Sequence, residues 1–260
     1  MNGGGFFSTG FRTLIRREVL RYIRRPRNTF LPPLITNVLY FSVFGVILGE
    51  RINLINGVPY ILFILPGLVV LGAISNSFEN SSFSLFHGRW NEYIHEAVTS
   101  PLSNTEMVAG YVLSGALRGV LIGILISFVG AVFTTVSVYS WIYLAAFMIV
   151  ISLLFASFGV IGGLWAEDFD YLTVMNQFIL RPLVFFGGVF YSIRDLPGVW
   201  EEVSLLNPMV YMVNGVRYGF LGPESVDVRP ELSLAVLSLL TVVVFLFDIY
   251  LFRRGYGIME

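Results

Sequence analysis

The chain has 260 residues, 56% of them hydrophobic and only 13% charged, with a mean hydropathy of +0.77 and a net charge of −1, the composition of a polytopic membrane protein and not of a soluble domain. Cysteine is absent, which excludes disulfides, thiolate metal centres and cysteine nucleophiles. All sixteen basic residues are arginine, so a lysine Schiff base and the lysine of a phosphate-binding loop are excluded too.

Residues 1–27 carry seven arginines (12, 16, 17, 21, 24, 25 and 27) ahead of any apolar run. The opening MNGGGFFSTG is not expected to be a cleavable signal, because the apolar run after the arginines is of spanning length and has no small-residue cleavage site. Within FRTLIRREVLRYIRR, Phe11, Leu14, Ile15, Val19, Tyr22 and Ile23 recur at helical spacing, with the arginines on the other face. That pattern predicts an amphipathic helix lying in the membrane surface.

A span needs roughly 20 apolar residues, and uncharged runs of that order predict six: 28–49, 58–80, 106–132, 140–165, 171–191 and 231–252. Pro32 and Pro33 are expected to open the first span, where a missing N–H costs little. FTTVSVYS (133–140) reads as a tight turn between the third and fourth, and Pro182 as a bend in the fifth. Ten arginines fall on the side of the termini, four (51, 194, 217, 229) on the other and two (118, 181) inside spans. Cytoplasmic segments are arginine-rich, so both termini are expected in the cytoplasm, beneath a plasma or inner membrane.

The connection at 86–104 is the most polar internal segment. In RWNEYIHEAVTSPLS, Trp90, Tyr93, Ile94, Ala97 and Val98 line one face of an expected short helix, while Glu92, His95, Glu96 and Thr99 line the other. Pro101 ends it, and Ser103-Asn-Thr-Glu106 is a capping-box pattern that starts the next span. An ordinary solvated helix and a docking element for a cytosolic partner are both open at this point.

Residues 193–222 are too interrupted for a spanning helix. Asp195-Leu-Pro197 and Asn207-Pro208 each offer an N-cap followed by a proline, predicting two short helices, one with Trp200, Val203 and Leu206, the other with Met209, Met212, Val213, Val216 and Phe220. Broken backbone near membrane depth must be buried in protein or line a cavity. Arg118 falls inside the third span, where an ionised side chain is expensive and is paired or functional. Around it Gly115, Gly119 and Gly123 recur every fourth residue, a device for close helix approach that Gly159 and Gly163 repeat.

Other chemistry finds little support. Glu167, Asp168 and Asp170 share one short turn and read as solvated acids, and His87 and His95 lack metal-ligand spacing, so no metal is expected. The basic-aromatic mixing of residues 11–25 fits lipid headgroups and not nucleic acid. A secondary transporter would need interior carboxylates, and Glu79 and Asp248 are expected near span ends. An intramembrane lipid-modifying enzyme would need a convergent acid, histidine or metal cluster, which the spacing does not provide.

The strings RRPRNTFLPPLITNVLYFSVFG, ILPGLVVLGAISN, TSPLS, AGYVLSGALRG, GGVFYS and LNPMVYMVNGVRYGFLG, in that order from about Arg12 to Gly255, resemble the permease subunits of type-2 ABC transporters, the ABC-2 permeases. The resemblance implies an all-α fold with six transmembrane helices, an N-terminal interfacial helix, a cytoplasmic coupling helix and re-entrant extracellular helices between spans five and six. It implies a non-catalytic subunit that pairs with a second copy of itself and docks two copies of an ATP-binding subunit, which would bind the ATP and Mg. The coupling helix would be 89–101, with Glu92, Tyr93, His95, Glu96, Ser100 and Pro101 as contact residues. Gly187, Gly188, Tyr191, Pro197, Asn207 and Pro208 would belong to the outer gate. This chain carries His95 where relatives usually have an acid, with Glu92 and Glu96 nearby, and Arg181 where relatives are commonly uncharged. The activity implied is ATP-driven export of an amphipathic, drug-like or lipid- or saccharide-linked substrate.

Overall fold

The computed structural model describes residues 8–52, 54–55 and 57–257, without the side chains of His95, Ala97 and Val98. Helix α1 (Thr9–Ile23) is capped by Ser8, whose hydroxyl accepts from the Phe11 N–H. Its buried stripe is Phe11, Leu14, Glu18 and Tyr22, spaced three or four residues apart. This stripe packs on the bundle: Leu14 meets Gly110, where a Cβ would stand 2.5 Å from the leucine. The membrane-surface helix expected from periodicity is therefore docked through its apolar face on the bundle, leaving only Ile23 of the six expected residues fully exposed.

Helix α2 (Pro26–Ile52) begins at Pro26, so Pro32 and Pro33 lie inside it instead of opening it. Each leaves one carbonyl of the first turns, that of residue 28 or 29, without its helical donor, and α2 runs on through them into a wider π-helical stretch over Phe41–Leu48. A two-residue hairpin, β1 (Leu54–Ile55) with β2 (Val58–Pro59), leads into the central helix α3 (Tyr60–Trp90). Helix α3 passes well beyond the expected end of the second span at residue 80, and its apolar stretch is almost wholly buried. Helix α4 (Ile94–Thr99) follows, shorter than the expected 89–101 because Arg89 and Trp90 still belong to α3 and Glu92 takes a left-handed turn with φ +62°.

Helix α5 (Asn104–Phe133) opens on a complete capping box between Ser103 and Glu106, and α6 (Trp141–Trp165) runs beside it. The connection between them is extended and not a tight turn: the Tyr139 and Ser140 N–H groups bond to the Phe220 and Gly219 carbonyls. Helix α7 joins Phe169–Val174, a π-helical stretch Met175–Leu180 and Arg181–Phe185. The π stretch directly precedes Pro182, which supplies no N–H to the ladder, and the Arg181 N–H reaches back to Asn176 O. This helix ends at Phe185, short of the expected residue 191 and of the roughly 20 residues that a straight span requires.

Beyond a turn lie α8 (Val199–Leu205), α9 (Pro208–Leu221) and α10 (Pro230–Arg254). Among the described residues, five helices (α2, α3, α5, α6 and α10) are long and apolar enough to cross a membrane. The whole is an all-α bundle in which α3 is wrapped by α5, α6, α9 and the π-helical parts of α2 and α7. Glycine sets the contact distance: a Cβ on Gly119 would fall 1.8 Å from Ser77 Oγ, and one on Gly115 2.2 Å from Ser81 Oγ. Gly159 and Gly163 meet the backbone carbonyls of Phe78 and Ser82, so α5 and α6 both press α3.

Candidate functional site

Three groups of side chains stand out along the bundle. At the end that carries the termini, Glu18 of α1 is buried and accepts from the Ser84 hydroxyl of α3. Arg17 donates to Glu18 at 2.9 Å, and Arg21 pairs with it at 3.3 Å while also donating to Asn80 Oδ1. These contacts pin α1 across α3. Sequence reading missed Glu18, because a single acid among arginines has the look of a surface residue; its position on the Phe11–Leu14–Tyr22 stripe was the available signal.

The segment 91–103 is held against this anchor. Ile94 is buried in one apolar cluster with Leu14 and Leu85, and the Arg17 guanidinium lies 5.8 Å from the centre of the Tyr93 ring. Burial, with the nearby Glu18 charge second, pushes the Tyr93 phenol pKa up. Glu92 and Glu96 are exposed, Ser100 is half-buried at the end of α4, and Pro101 is exposed. His95 lies on α4, its side chain outside the described residues. Glu96 and Tyr93 line an open groove of about 620 Å³ with Arg16, Arg17, Arg21 and Arg24, so the acids expected to dominate this face share it with the arginines of α1.

Deeper in the bundle, Arg118 donates to Asn76 Oδ1 at 3.1 Å and faces Glu79 Oε2 at 3.7 Å. Glu79 also accepts from Asn176 Nδ2 at 2.7 Å, which ties α3, α5 and α7 together. Arg118 is thus the paired arginine that the cost of a charge in hydrocarbon calls for. Glu79 lies in the middle part of α3, and Asp248, near the end of α10, is buried as well. Around the pair a pocket of about 250 Å³ runs between α2, α3, α5 and α7, and Arg181 reaches into it.

At the opposite end, Gly187 comes so close to α9 that a Cβ would sit 2.6 Å from Met209 Cβ, and Gly188 takes φ +79°. The Tyr191 hydroxyl donates to Phe186 O. Asn207 accepts from the Met209 N–H and donates to Leu183 O, with Pro208 in the first turn of α9. The expected cap at Asp195 is absent: Asp195 ends a 3-10 turn, Pro197 is exposed, and α8 starts after Gly198 at φ +53° without a side-chain cap. Helix α8 buries none of its residues within one copy of the chain, and it borders an apolar groove of about 630 Å³ with Leu183, Phe186 and Tyr191.

Arg217, expected only as one cation of this end, is fully buried. Its guanidinium donates to Gly188 O at 2.7 Å, stacks 3.9 Å from the Phe63 ring centre and faces Asp227 at 4.0 Å. Asp227 in turn accepts from Ser192 Oγ and pairs with Arg194 at 3.3 Å. Nothing in the local sequence separates this arginine from its solvated neighbours. The acidic turn has a simpler use than ligation, since Asp168 Oδ1 accepts from the Asp170 and Tyr171 N–H groups and caps α7.

Comparison with known proteins agrees with this arrangement. Residues 9–221 match the family model described as ABC-2 type transporter. The chain is 37% identical over 242 residues to the inner membrane transport permease YadH of Escherichia coli (strain K12), covering 93% of this chain and 94% of that one. It is 26% identical over 247 residues to nodulation protein J of Rhizobium meliloti (strain 1021), covering 92% and 91%, and 24% identical over 240 residues to that of Rhizobium leguminosarum bv. viciae, covering 92% of each. With the five long apolar helices and a family match over most of its length, the chain belongs to the ABC-2 type transporter family, as a polytopic membrane protein of the permease kind.

Proposed function

We propose that the chain is the membrane-spanning subunit of an ATP-driven exporter, acting as a homodimer with two copies of a separate ATP-binding subunit. The observation that carries this reading is the segment 91–103, a charged lever clamped by buried Ile94, by Tyr93 beneath Arg17 and by the Ser103–Glu106 capping box. A short helix fixed so firmly transmits a push to α3 and α5, the helices it joins. The partner would bind ATP and Mg, since this chain lacks the lysine of a phosphate-binding loop.

In this reading α7 completes a six-span topology, both termini face the cytoplasm of an inner or plasma membrane, and the arginine distribution supports that orientation. Closure of the ATP-binding subunits shifts the paired permeases between inward-open and outward-open states. The cargo, an amphipathic, drug-like or lipid- or saccharide-linked molecule, passes along the seam of the two copies past α2, α3 and α7, and the turn at 186–198 with α8 and α9 closes the outer end. Glu92 and Glu96 contact basic residues of the ATP-binding subunit.

The test is co-expression with an ATP-binding subunit encoded beside this chain. Glu92→Arg with Glu96→Arg is expected to abolish permease-dependent ATP hydrolysis in proteoliposomes while the permease still elutes as a folded dimer. Undiminished hydrolysis in the double variant would refute the contact, and failure of the wild-type pair to co-purify would refute the partnership.

A further inference from the structure

The pocket around Arg118 has a charge balance that points to a ligand. Building on the transport reading above, we infer that this pocket receives the acidic headgroup of the amphipathic cargo, a phosphate, sulfate or carboxylate, with Arg181 and Arg118 as its cationic contacts.

Two guanidiniums line the pocket against one carboxylate, Glu79. That carboxylate is already engaged by Asn176 and Arg118. Arg118 Nε is buried without a hydrogen-bond partner. The Arg181 guanidinium forms no hydrogen bond or close ion pair among the described residues, and only the field of its charge reaches Glu79. Cationic capacity is therefore left over in the pocket, buried at Arg118 Nε and open at Arg181, and an anion from outside completes it. Arginine suits the oxygens of a phosphate or carboxylate, which its planar fork can meet in pairs.

The rest of the wall mixes Pro32, Pro33 and Leu71 with neutral hydrogen-bonding groups, among them Asn28, Thr36, Asn37 and Ser75, which an alkyl tail would not require and a headgroup can use. At about 250 Å³ the space is smaller than the roughly 300–1,000 Å³ that encloses a whole drug-sized ligand, so only the polar end enters. An apolar body has somewhere to go: Val43, Val46 and Ile47 of α2 and Phe178 and Ile179 of α7 are exposed on the two helices that flank the opening. The pocket extends to Asn28 and Thr29, beside the end of α1, where the Thr29 hydroxyl donates to Tyr22 O. The headgroup thus sits among the arginines and the polar wall, with the apolar part along α2 and α7.

The test uses the full chain in phosphatidylcholine nanodiscs, without ATP or an ATP-binding subunit, and measures equilibrium binding of a fluorescently tailed alkyl phosphate and of the corresponding uncharged alcohol. The phosphate is expected to bind at least about tenfold more tightly than the alcohol, the range of one charge-assisted hydrogen bond. Arg181→Gln, an exposed side chain with no contact to lose, should erase most of that preference, and Arg118→Lys, which keeps the charge beside Glu79, should weaken it. Inorganic phosphate should displace the tailed probe only at far higher concentration. Equal binding of phosphate and alcohol would overturn the proposal, as would an Arg181→Gln variant with the preference intact, since Arg181 would then serve only surrounding lipid headgroups. Displacement by inorganic phosphate as effective as by the tailed probe would overturn the amphipathic source. A complex that couples ATP hydrolysis but shows no acid preference refutes this inference alone, whereas acid preference in a chain that recruits no ATP-binding subunit refutes only the transport reading.

Discussion

Arg217 offers the sharpest test of how the far end of the bundle is held. Replacing it with methionine keeps much of its length but removes the 2.7 Å bond to Gly188 O, the stacking on Phe63 and the charge facing Asp227. Breaking one partner of a buried ion pair costs about 3–5 kcal/mol, because the remaining charge is left uncompensated. The solvent-facing Arg194 still neutralises part of Asp227, which favours the lower end of that range. Because the chain has no cysteine, a single Val189→Cys reporter, at a residue 1% exposed and adjacent to Gly188, labels with maleimide only when the turn opens. At about 1.4 kcal/mol per tenfold, Arg217→Met should raise the labelling rate by about two orders of magnitude or more, and Arg217→Lys by less. A rise below about threefold, with Asp227→Asn equally silent, would refute the idea that this buried arginine locks the turn to α9.

Further outcomes follow from packing and charge elsewhere. Gly119→Ala would place a Cβ 1.8 Å from Ser77 Oγ and 2.9 Å from Ala73 O, and should cost about 1–3 kcal/mol of bundle stability, read as a lower thermal midpoint in detergent that Ser77→Gly partly restores. Glu18→Gln removes the anion that Arg17 and Arg21 share; since those arginines are 43% and 38% exposed, the loss is discounted for solvent screening to about 1–2 kcal/mol, seen as faster protease cleavage at α1 with the rest of the chain intact.

Much of the architecture was legible because the bilayer imposes a length on apolar runs, and a charged residue at the end of such a run is visible in one dimension. The starts of α5 and α9 were equally legible: the Ser103–Glu106 box and the Asn207–Pro208 cap are contacts between residues two or three apart. Where a boundary depends on distant contacts the reading failed. Helix α3 runs on to Trp90 because its end is seated by other elements, with Arg89 donating to the Gly163 and Ala166 carbonyls of the α6 end. That seating took Arg89 and Trp90 away from the expected helix 89–101 and left α4 with six residues. Helix α8 lacks the cap expected at Asp195, whose turn is instead placed by bonds from Ser192 and Ile193 to Asp227, more than thirty residues away.

The sequence alone determined the solvent and one exclusion: composition selects the membrane, and the missing lysine rules out a lysine-bearing phosphate-binding loop in this chain, because both are statements about which side chains exist. Tertiary structure decided which of the described charges are paired, and with what. Glu18, Glu79, Arg118 and Arg217 look alike in sequence, as isolated ionisable residues in an arginine-rich or apolar context, and differ only in what folding places within a few ångströms of them. One of them fastens α1, two form an interior pair that leaves Arg181 over, and one locks the far turn. Electrostatic cost in a low-dielectric interior is settled by neighbours in space, and those neighbours are 42 residues apart for Arg118 with Asn76 and 66 for Glu18 with Ser84.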